Sequence, residues 1–488
     1  MTKVLYQPEK AWFGDAIPFF HEDTFYVYYL YDERKTAQTA YKTSWHLVTT
    51  KDFVHWTEQG EVLPIGGEDC PDLACYTGCV MADKEGGYHL FYTGQNPENS
   101  RYCSDGKAIQ YILHATSKDL LHWKKHYETA FQASAGQFEI HDWRDPFVFY
   151  EKESDRYVML LAARKEKESF RRSGCTVVCY SKDLWNWSQG EVFYAPNMYY
   201  THECPDLFKE GDWWYLLYST FTSRFATHYR KSKSLQGPWS MPQDDLLDAR
   251  GLYAIKTASD GSKRYGFGWV PTHHRNQDME FLEWGGTLAV HEVYQTENGE
   301  LAEKLPDSLE AAFIEEQPVS IAYLEGETKV CDKVLEFSTE DTAWAVFEEM
   351  PQQGLILARF EPEEKTIEFG IGLQLDAPGD NGYFFRFEPA FSRVVFDLWP
   401  RGEIYGEQHR MGGDIPFVPS FERKVDFTGK WIDIKLLIEN DILILYVNNC
   451  TAMSVRVCSK REKWGFFVTG GKVKVQNISL KVIPECKE

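Results

Sequence analysis

One repeated strand pattern dominates the first 295 residues, an aromatic and aliphatic run that recurs five times. The copies are Phe25–Tyr31, Tyr88–Gly94, Tyr157–Ala163, Trp214–Thr220 and Tyr265–Pro271. The runs are rich in β-branched and aromatic residues, which favour strands, and turn-forming residues separate them. A fixed internal repeat restricts the fold strongly, because every copy has to form the same supersecondary unit.

A second marker follows each of the first four runs, a turn-like segment that ends in tryptophan. The four copies are Lys51–Trp56, Ser117–Trp123, Ser181–Trp187 and Lys233–Trp239. Their polar openings suit a turn, and the tryptophan can anchor the strand that follows. Units of roughly 50 to 70 residues made only of short strands are typical of propeller blades. The sequence therefore predicts a five-bladed β-propeller over residues 1–295.

Beyond about Val330 the strands become longer and more evenly spaced, as in Thr366–Leu375 and Trp431–Glu439. The pair Asn440-Asp441 between two apolar runs predicts a tight hairpin. This pattern is typical of a β-sandwich, which we predict for residues 330–488. Residues 296–329 are acidic and lack strong periodicity, so we predict a linker there. The fold class is all-β.

Composition narrows the possible partners. The formal net charge of −22 disfavours nucleic acids and anionic membranes, and it suits a neutral substrate. No segment is long and apolar enough to predict a membrane span. The eleven cysteines are an odd number without a disulfide-like pattern, and residues 1–10 lack an apolar leader core. We therefore expect a cytoplasmic protein with reduced thiols.

Three acidic residues precede the repeated strand by nearly the same distance in three different copies. Asp15, Asp145 and Glu203 lie ten, twelve and eleven residues before their strands. We interpret these as equivalent positions near the propeller axis, where strands converge at one end of a channel. Acids gathered in an apolar pocket lose hydration and repel one another, so their pKa values separate. One ionised and one protonated carboxyl group are what glycoside cleavage needs.

At these residues the chain resembles glycoside hydrolase family 32, the family of invertases, levanases and inulinases. The family motifs Arg-Asp-Pro and Glu-Cys-Pro are present intact at Arg144–Pro146 and Glu203–Pro205, and Trp284–Leu288 resembles the segment that closes the propeller. The resemblance extends over nearly the whole chain. It implies that Asp15 is the nucleophile, Glu203 the general acid/base and Asp145 the stabiliser of the transition state.

The resemblance also implies substrate contacts. Arg144 would hydrogen-bond the sugar, and Trp45, Tyr76 and Thr77 match substrate-contact positions. For Trp45 and Tyr76, packing inside a blade explains the residue equally well. The close spacing of Cys70–Cys79 matches no zinc pattern. We therefore predict no metal and no cofactor, a small carbohydrate as the substrate, and a homo-oligomer through the sandwich as a possible assembly.

The first family motif is altered in this chain. Where the family has Trp-Met-Asn-Asp-Pro-Asn-Gly, this sequence has Trp12–Pro18, which keeps Asp15 and lacks both asparagines. The next segment carries Leu30 and Asp32 where glutamine and asparagine are usual. These changes alter the polar contacts that hold the terminal fructose. They leave open an unusual linkage, fructosyl transfer or a different furanoside.

The predicted function is retaining hydrolysis of β-fructofuranosidic bonds in fructo-oligosaccharides, fructans or sucrose-like substrates, through a covalent fructosyl-aspartate. One alternative is an enzyme resembling family 43, which shares the five-bladed propeller, cleaves arabinosides or xylosides and usually inverts. Another alternative is a carbohydrate-binding protein that has lost catalysis. The predicted C-terminal sandwich and the intact Arg-Asp-Pro and Glu-Cys-Pro motifs argue against the first alternative, and the three retained acids argue against the second.

Overall fold

A computed structural model describes most of the chain. The described residues are 3–34, 42–134, 136–166, 169–222, 225–278, 280–331, 333–376, 381–399 and 421–484. They are mainly β-structure, with one short α-helix, α1 (Asp307–Glu310), and short 3-10 turns. None of the helices in these ranges has the length and hydropathy that crossing a membrane requires.

Twenty-two strands make up the first part of the chain. They are β1 Trp12–His21, β2 Thr24–Asp32, β3 Ser44–Thr50, β4 Thr57–Leu63, β5 Ala74–Ala82, β6 Tyr88–Gln95, β7 Cys103–Ser104, β8 Lys107–Ala108, β9 Tyr111–Ser117, β10 Lys124–Lys125, β11 Phe138–Glu151, β12 Arg156–Lys165, β13 Gly174–Ser181, β14 Glu191–Tyr194, β15 Glu203–Glu210, β16 Trp213–Thr220, β17 Ala226–Ser232, β18 Leu246–Leu247, β19 Tyr253–Ser259, β20 Arg264–His273, β21 Leu282–Gln295 and β22 Leu301–Lys304. The five predicted runs lie in β2, β6, β12, β16 and β20, which confirms them as strands.

These strands form antiparallel sheets arranged around a ring. Three sheets have four strands each: β5-β6-β9-β10, β11 to β14 and β15 to β18. An eight-stranded sheet joins β1 to β4 with β19 to β22 through the register pair of Phe13 and Gly286. Divided at this pair, it leaves five units of four strands. The first strands of the units, β1, β5, β11, β15 and β19, contact one another in turn and close the ring.

The turn marker has the same local structure in three units. Asp52, Asp119 and Asp183 each accept two backbone N–H groups, two and three residues further along the chain, at 2.8–3.0 Å. A short acidic side chain that satisfies its own turn in this way needs no partner from elsewhere. The tryptophans at the ends of the markers then pack against the apolar layers between neighbouring units.

The second part of the chain is a larger antiparallel assembly. Its strands are β23 Glu315–Gln317, β24 Ile321–Glu325, β25 Thr328–Cys331, β26 Val334–Phe347, β27 Gln353–Pro362, β28 Glu368–Leu375, β29 Gly382–Glu388, β30 Arg393–Trp399, β31 Phe421–Lys424, β32 Ile432–Glu439, β33 Ile442–Val447, β34 Thr451–Arg456 and β35 Lys463–Val482. The long β35 pairs with β26, with β28 along its first half and with β27 along its second half. Phe360, Phe387, Trp464 and Phe466 lie in the apolar core of this part.

The segment predicted as a linker, residues 296–329, contains strands that pair in both parts of the chain. Strand β22 pairs with β21 of the first part, whereas β23, β24 and β25 pair with β35 or β26 of the second. Only α1 and its flanking residues lie between these two sets of strands. The domain limits themselves remain predictions.

A buried polar cluster joins the two parts. Asp248, which is fully buried, accepts the N–H of Ser454 at 2.9 Å and its hydroxyl at 2.6 Å. It also contacts His291 Nε2 at 2.9 Å, and His291 Nδ1 contacts the hydroxyl of Tyr446 at 2.8 Å. Asp248 and His291 belong to the first part, and Ser454 and Tyr446 to the second. The buried charge of Asp248 is tolerated here because its carboxylate oxygens accept hydrogen bonds from both parts of the chain.

We predict that Asp248→Ala lowers the free energy of unfolding by about 3–5 kcal/mol, because it leaves buried donors unpaired on both sides of the contact. Urea unfolding followed by tryptophan fluorescence measures the effect. Asp212→Ala is the matched control, since the Asp212 side chain is 89% exposed and should leave the midpoint unchanged. Equal midpoints for the two variants would contradict the importance of this cluster.

Candidate active site

The first strand of every unit carries an irregularity at the same place. Strand pairing shifts register between Phe13 and Ala16, Tyr76 and Gly78, Arg144 and Phe147, Glu203 and Asp206, and Tyr253 and Lys256. Such bulges bend a strand, increase its twist and re-aim side chains, and they are common beside active sites. Five bulges around one ring bring side chains from distant parts of the sequence to one pocket.

The three acids lie at these bulges, although at positions that differ by one or two residues. Glu203 is the last paired residue before its bulge, Asp145 is the first bulged residue, and Asp15 is the second. The prediction of strictly equivalent positions was therefore wrong in detail. A one-residue offset would reverse a side chain on a regular strand, but the left-handed backbone at Asp145 (φ 57°) and Cys204 (φ 50°) redirects it here.

Asp15 is a buried carboxylate with hydrogen-bond donors on both oxygens. Its Oδ1 accepts the indole N–H of Trp269 at 2.9 Å, and its Oδ2 accepts the hydroxyl of Thr77. Burial raises the pKa of Asp15, and the charge of Glu203 adds to that rise, while the two hydrogen bonds oppose it. The donors thus favour the ionised carboxylate in a site where dehydration disfavours it.

Asp145 lies between the other two acids. Its backbone N–H donates to Thr93 Oγ1 at 2.8 Å, and its Oδ2 accepts the N–H of Cys204 at 3.0 Å. Burial raises its pKa, the neighbouring Arg144 lowers it, and the charge of Asp15 raises it again. The sulfur of Cys204 lies 3.7 Å from Asp15 Oδ2, so Cys204 contacts one aspartate through its backbone and the other through its side chain.

Glu203 is the most exposed of the three acids, with 20% of its side chain accessible. Its Oε1 accepts a hydrogen bond from Arg144 Nη2 at 3.1 Å, and its Oε2 accepts the hydroxyl of Tyr253 at 2.7 Å. Burial raises the pKa of Glu203, and these two partners counteract the rise. The pocket thus combines burial, which favours the protonated carboxyl group of Glu203, with two donors that favour its carboxylate.

The predicted substrate-contact residues take different places. Arg144 lies in the pocket, where it also donates to Asp142 Oδ1 at 2.8 Å and to Thr201 Oγ1 at 3.0 Å. Thr77 is 1% exposed and is directed at Asp15. Tyr76 is half-buried, and its hydroxyl accepts a hydrogen bond from Gln95 at 3.0 Å.

Trp45 does not line the pocket. It has no accessible surface, and it packs among Tyr28 and Tyr92 in the apolar layer between two units. Its indole N–H donates to the backbone carbonyl of Tyr76 at 3.1 Å. The predicted sugar contact is therefore wrong in this structure, because a side chain without accessible surface cannot touch a substrate. The packing alternative holds, and Trp45 supports the strand that carries Thr77.

Three residues of the pocket were not predicted. Trp269 and Tyr253 hydrogen-bond Asp15 and Glu203, and both belong to the fifth unit. Lys256, in the same unit, is 2% exposed, and its ammonium donates to the carbonyl of Gly78 at 2.5 Å. Its positive charge lowers the pKa of both Asp15 and Asp145. The sequence signal that could have found this unit is the spacing of Tyr253, which precedes the fifth run by twelve residues (265−253), as Asp145 precedes the third (157−145).

The altered first motif has a structural counterpart at Gly14. A Cβ atom at this position would lie 2.4 Å from the indole of Trp284 and 2.9 Å from Leu30. Residue 14 therefore cannot carry a side chain without displacing Trp284, which is 37% exposed. Asp32, the other changed residue, is held by Arg34, whose Nε donates to it at 3.0 Å. The polar groups missing from the motif are replaced by an indole ring and a buried ion pair.

Comparison with known proteins identifies the family. Residues 6–304 match the model of the glycosyl hydrolases family 32 N-terminal domain. The chain belongs to glycoside hydrolase family 32. It is 22% identical to a levanbiose-producing levanase of Bacillus subtilis (strain 168), over 97% of this chain and 89% of the levanase. A sucrose-6-phosphate hydrolase of Escherichia coli is 24% identical over 57% of this chain and 58% of its own length.

A solved structure gives the same result for the fold. The exo-inulinase of Aspergillus awamori superposes with a TM-score of 0.74 at 15% identity, covering 99% of this chain and 98% of the inulinase. The family 32 chain thus has an all-β fold, a β-propeller followed by a β-sandwich, as predicted. It is a glycoside hydrolase, which confirms the predicted class of enzyme. The alternatives of a family 43-like enzyme and of a non-catalytic binding protein are wrong.

The described residues contain no group of three His, Cys, Asp or Glu side chains arranged to hold a metal ion. The cysteines of the predicted packing segment are consistent with that finding, since Cys75 and Cys79 are buried and Cys70 is half-buried. The absence of a metal or cofactor requirement remains a prediction.

We predict that Thr77→Val moves the acidic limb of the pH–activity profile to higher pH. The substitution keeps the side-chain shape and removes the hydroxyl that lowers the pKa of Asp15, so the carboxylate protonates at a higher pH than in the parent enzyme. The pH dependence of kcat/KM measures the limb. Thr77→Ser retains the hydroxyl and should keep the parental profile, and an unmoved limb in the valine variant would contradict the role of Thr77.

Proposed function

We propose that the enzyme hydrolyses β-fructofuranosidic bonds in fructo-oligosaccharides, fructans or sucrose-like substrates and retains the anomeric configuration. The observation that carries the proposal is the meeting of Asp15, Asp145 and Glu203 at the bulges of three different strands. Family membership supports the reaction class, and relatives named as levanase and inulinase act on fructose polymers. The altered first motif leaves the linkage open.

In the proposed reaction Asp15 attacks the anomeric carbon while Glu203 protonates the departing glycosidic oxygen. The bond from the anomeric carbon to that oxygen breaks, and a covalent fructosyl-aspartate forms. Glu203, now ionised, then takes a proton from water, which displaces Asp15 and releases fructose. The two donors on Asp15 and its low exposure suit a nucleophile. The accessible carboxyl group of Glu203 suits proton exchange.

Asp145 and Arg144 are proposed to hold the transferred sugar. Asp145 is fixed by its own N–H and by that of Cys204, so its carboxylate needs no rearrangement to accept sugar hydroxyls. Arg144 donates hydrogen bonds to Asp142 and to Glu203, so its positive charge can stabilise negative charge on either carboxylate. Such preorganised groups stabilise a transition state without a reorganisation cost.

The finer features of the architecture belong to the same proposal. The ring of five first strands and the five units of four strands support a five-bladed propeller. The pairing of β22 favours an end of the propeller at Lys304 rather than at residue 295. The ten cysteines in the described part of the chain are all free thiols, which supports a reducing compartment such as the cytoplasm. Homo-oligomerisation through the sandwich remains a prediction.

We predict that Asp15→Asn and Glu203→Ala each lower kcat by about 10²-fold or more while the fold is kept, because each removes a group that changes bonding or protonation in the transition state. Steady-state hydrolysis of sucrose and of fructo-oligosaccharides measures the loss, and circular dichroism checks the fold. Asp155→Asn, whose side chain is 71% exposed, is the matched control and should retain parental activity. Activity near the parental level in a folded Asp15 or Glu203 variant would remove that residue from the mechanism.

We also predict that the first-formed fructose has the configuration of the substrate. A retaining enzyme forms its product by two displacements, whereas an inverting enzyme uses one displacement by water. NMR spectra recorded in the first minutes, before the product equilibrates by mutarotation, distinguish the two outcomes. An inverted first product would exclude a covalent intermediate on Asp15.

A further inference from the structure

In the third and fourth units, the ends of the second strands show which residues lie near the pocket. In the third unit Lys165, at the end of β12, pairs with Phe138 at the start of β11. In the fourth unit Ser219, near the end of β16, pairs with Glu203 at the start of β15. The residues that follow β12 and β16 therefore lie at the same end of the ring as the acids.

Three aromatic residues meet at this end. The ring of Tyr200 lies 5.4 Å from that of Phe170 and 5.7 Å from that of Phe221, measured between centroids. Phe170 is 69% exposed and Phe221 is 46% exposed. We call these three residues the aromatic rim. Neighbouring apolar rings that face water in an otherwise well-packed protein mark a binding surface.

A buried arginine fixes the rim. The guanidinium of Arg164 lies 3.9 Å from the ring centroid of Tyr200 and 4.8 Å from that of Phe170. It also donates to the Tyr200 hydroxyl at 2.9 Å and to the Phe170 carbonyl at 2.7 Å. Because Arg164 is only 5% exposed, the rings are held in place before any ligand arrives.

The same arginine connects the rim to the candidate acid/base. Arg164 Nη1 lies 3.2 Å from Asp142 Oδ2, and Asp142 Oδ1 accepts a hydrogen bond from Arg144 at 2.8 Å. Arg144 in turn donates to Glu203 Oε1 at 3.1 Å. The rim is thus continuous with the side of the pocket on which Glu203 lies. A leaving group departs next to the residue that protonates it, so this side faces the leaving group.

We propose that the aromatic rim binds the leaving group of the substrate, and that this leaving group is a sugar ring which presents a flat face of C–H groups. Aromatic faces attract C–H surfaces, and three rings offer more contact than a small alcohol such as methanol could use. The enzyme would therefore prefer di- and oligosaccharides to simple alkyl glycosides. The inference rests on the proposed function, because it assumes that Glu203 protonates the leaving oxygen.

The experiment compares substrates that differ only in the leaving group. For the parent enzyme and for Phe170→Ala/Phe221→Ala we measure kcat/KM on sucrose, on 1-kestose and on methyl β-fructofuranoside. We expect the ratio of kcat/KM for either sugar to kcat/KM for the methyl glycoside to fall about tenfold in the double variant. Phe170→Tyr keeps a ring and should keep the ratio near the parental value.

Phe391→Ala is the matched control. Phe391 is 70% exposed and lies beside Arg393, with the guanidinium 5.0 Å from the ring centroid, but it belongs to the second part of the chain. This variant should retain both the parental ratio and the parental activity. A ratio that stays unchanged in the double variant, in an enzyme that cleaves fructofuranosides, would overturn the rim and leave the proposed function intact.

A binding measurement separates failure of the rim from failure of the function. Asp15→Asn is titrated with 1-kestose by calorimetry, alone and combined with the two rim substitutions. If the parent enzyme cleaves none of the fructofuranosides, the proposed function fails, and about tenfold weaker binding after loss of the two rings would still support the rim as a sugar site. Equal binding of 1-kestose by Asp15→Asn and by the combined variant, or no binding by either, would overturn the rim as a sugar site. A change in elution volume without a change in ratio would assign the rim to a contact between copies.

Discussion

The bulge shared by the five first strands is the feature on which the pocket depends. A regular strand shows its side chains alternately to its two faces, so a ring of regular strands would direct only alternate residues to the axis. Here two residues oppose one in most units, and the backbone turns left-handed at Asp145, Cys204 and Ala254. Side chains at the last paired residue, at the first bulged residue and at the second bulged residue can therefore all reach the pocket. Glu203, Asp145 and Asp15 occupy these three positions in three different units.

Crowding three carboxyl groups in that pocket has an electrostatic cost, and the surroundings are built to offset it. Burial raises the pKa of each acid, and the charges of its neighbours raise it further. The positive charges of Arg144 and Lys256 both lower the pKa of Asp145, while neutral donors such as Trp269 stabilise the carboxylate of Asp15. Cations and neutral donors both lower the pKa of Asp15, and a donor also fixes the position of the oxygen that it contacts.

The repeat made the ring predictable, since the second strand of every unit is an apolar run and a turn marker follows it in the first four units. The convergence of the three acids followed from their spacing to that strand. The offsets relative to the bulges did not, because hairpin length and bulge position both vary. The hairpin from Tyr150 to Tyr157 is two residues longer than those from Phe20 to Phe25 and from Lys209 to Trp214. Only the pairing register shows how far each acid lies from its bulge.

Other parts of the site were hidden from sequence patterns for different reasons. The motif around Trp45 does not show which face of the strand is buried, and this face decides whether the ring packs or binds. Lys256 and Trp269 belong to no acidic motif and become relevant only when the fifth unit closes the ring. The short strands Glu315–Gln317 and Thr328–Cys331 are largely exposed, so they lack the apolar alternation that would have predicted strands.

The altered first motif and the intact acids are compatible because they depend on different parts of the structure. Asp15 is positioned by the bulge after Phe13 and by donors from β5 and β20, and residue 14 supplies none of these contacts. Position 14, next to Asp15, can therefore lose the amide side chain of the family motif and have the indole of Trp284 beside it, while the carboxylate of Asp15 stays in place. In the proposed mechanism, chemistry and sugar selection are then separable, since the contacts that hold the carboxylate of Asp15 do not involve residue 14.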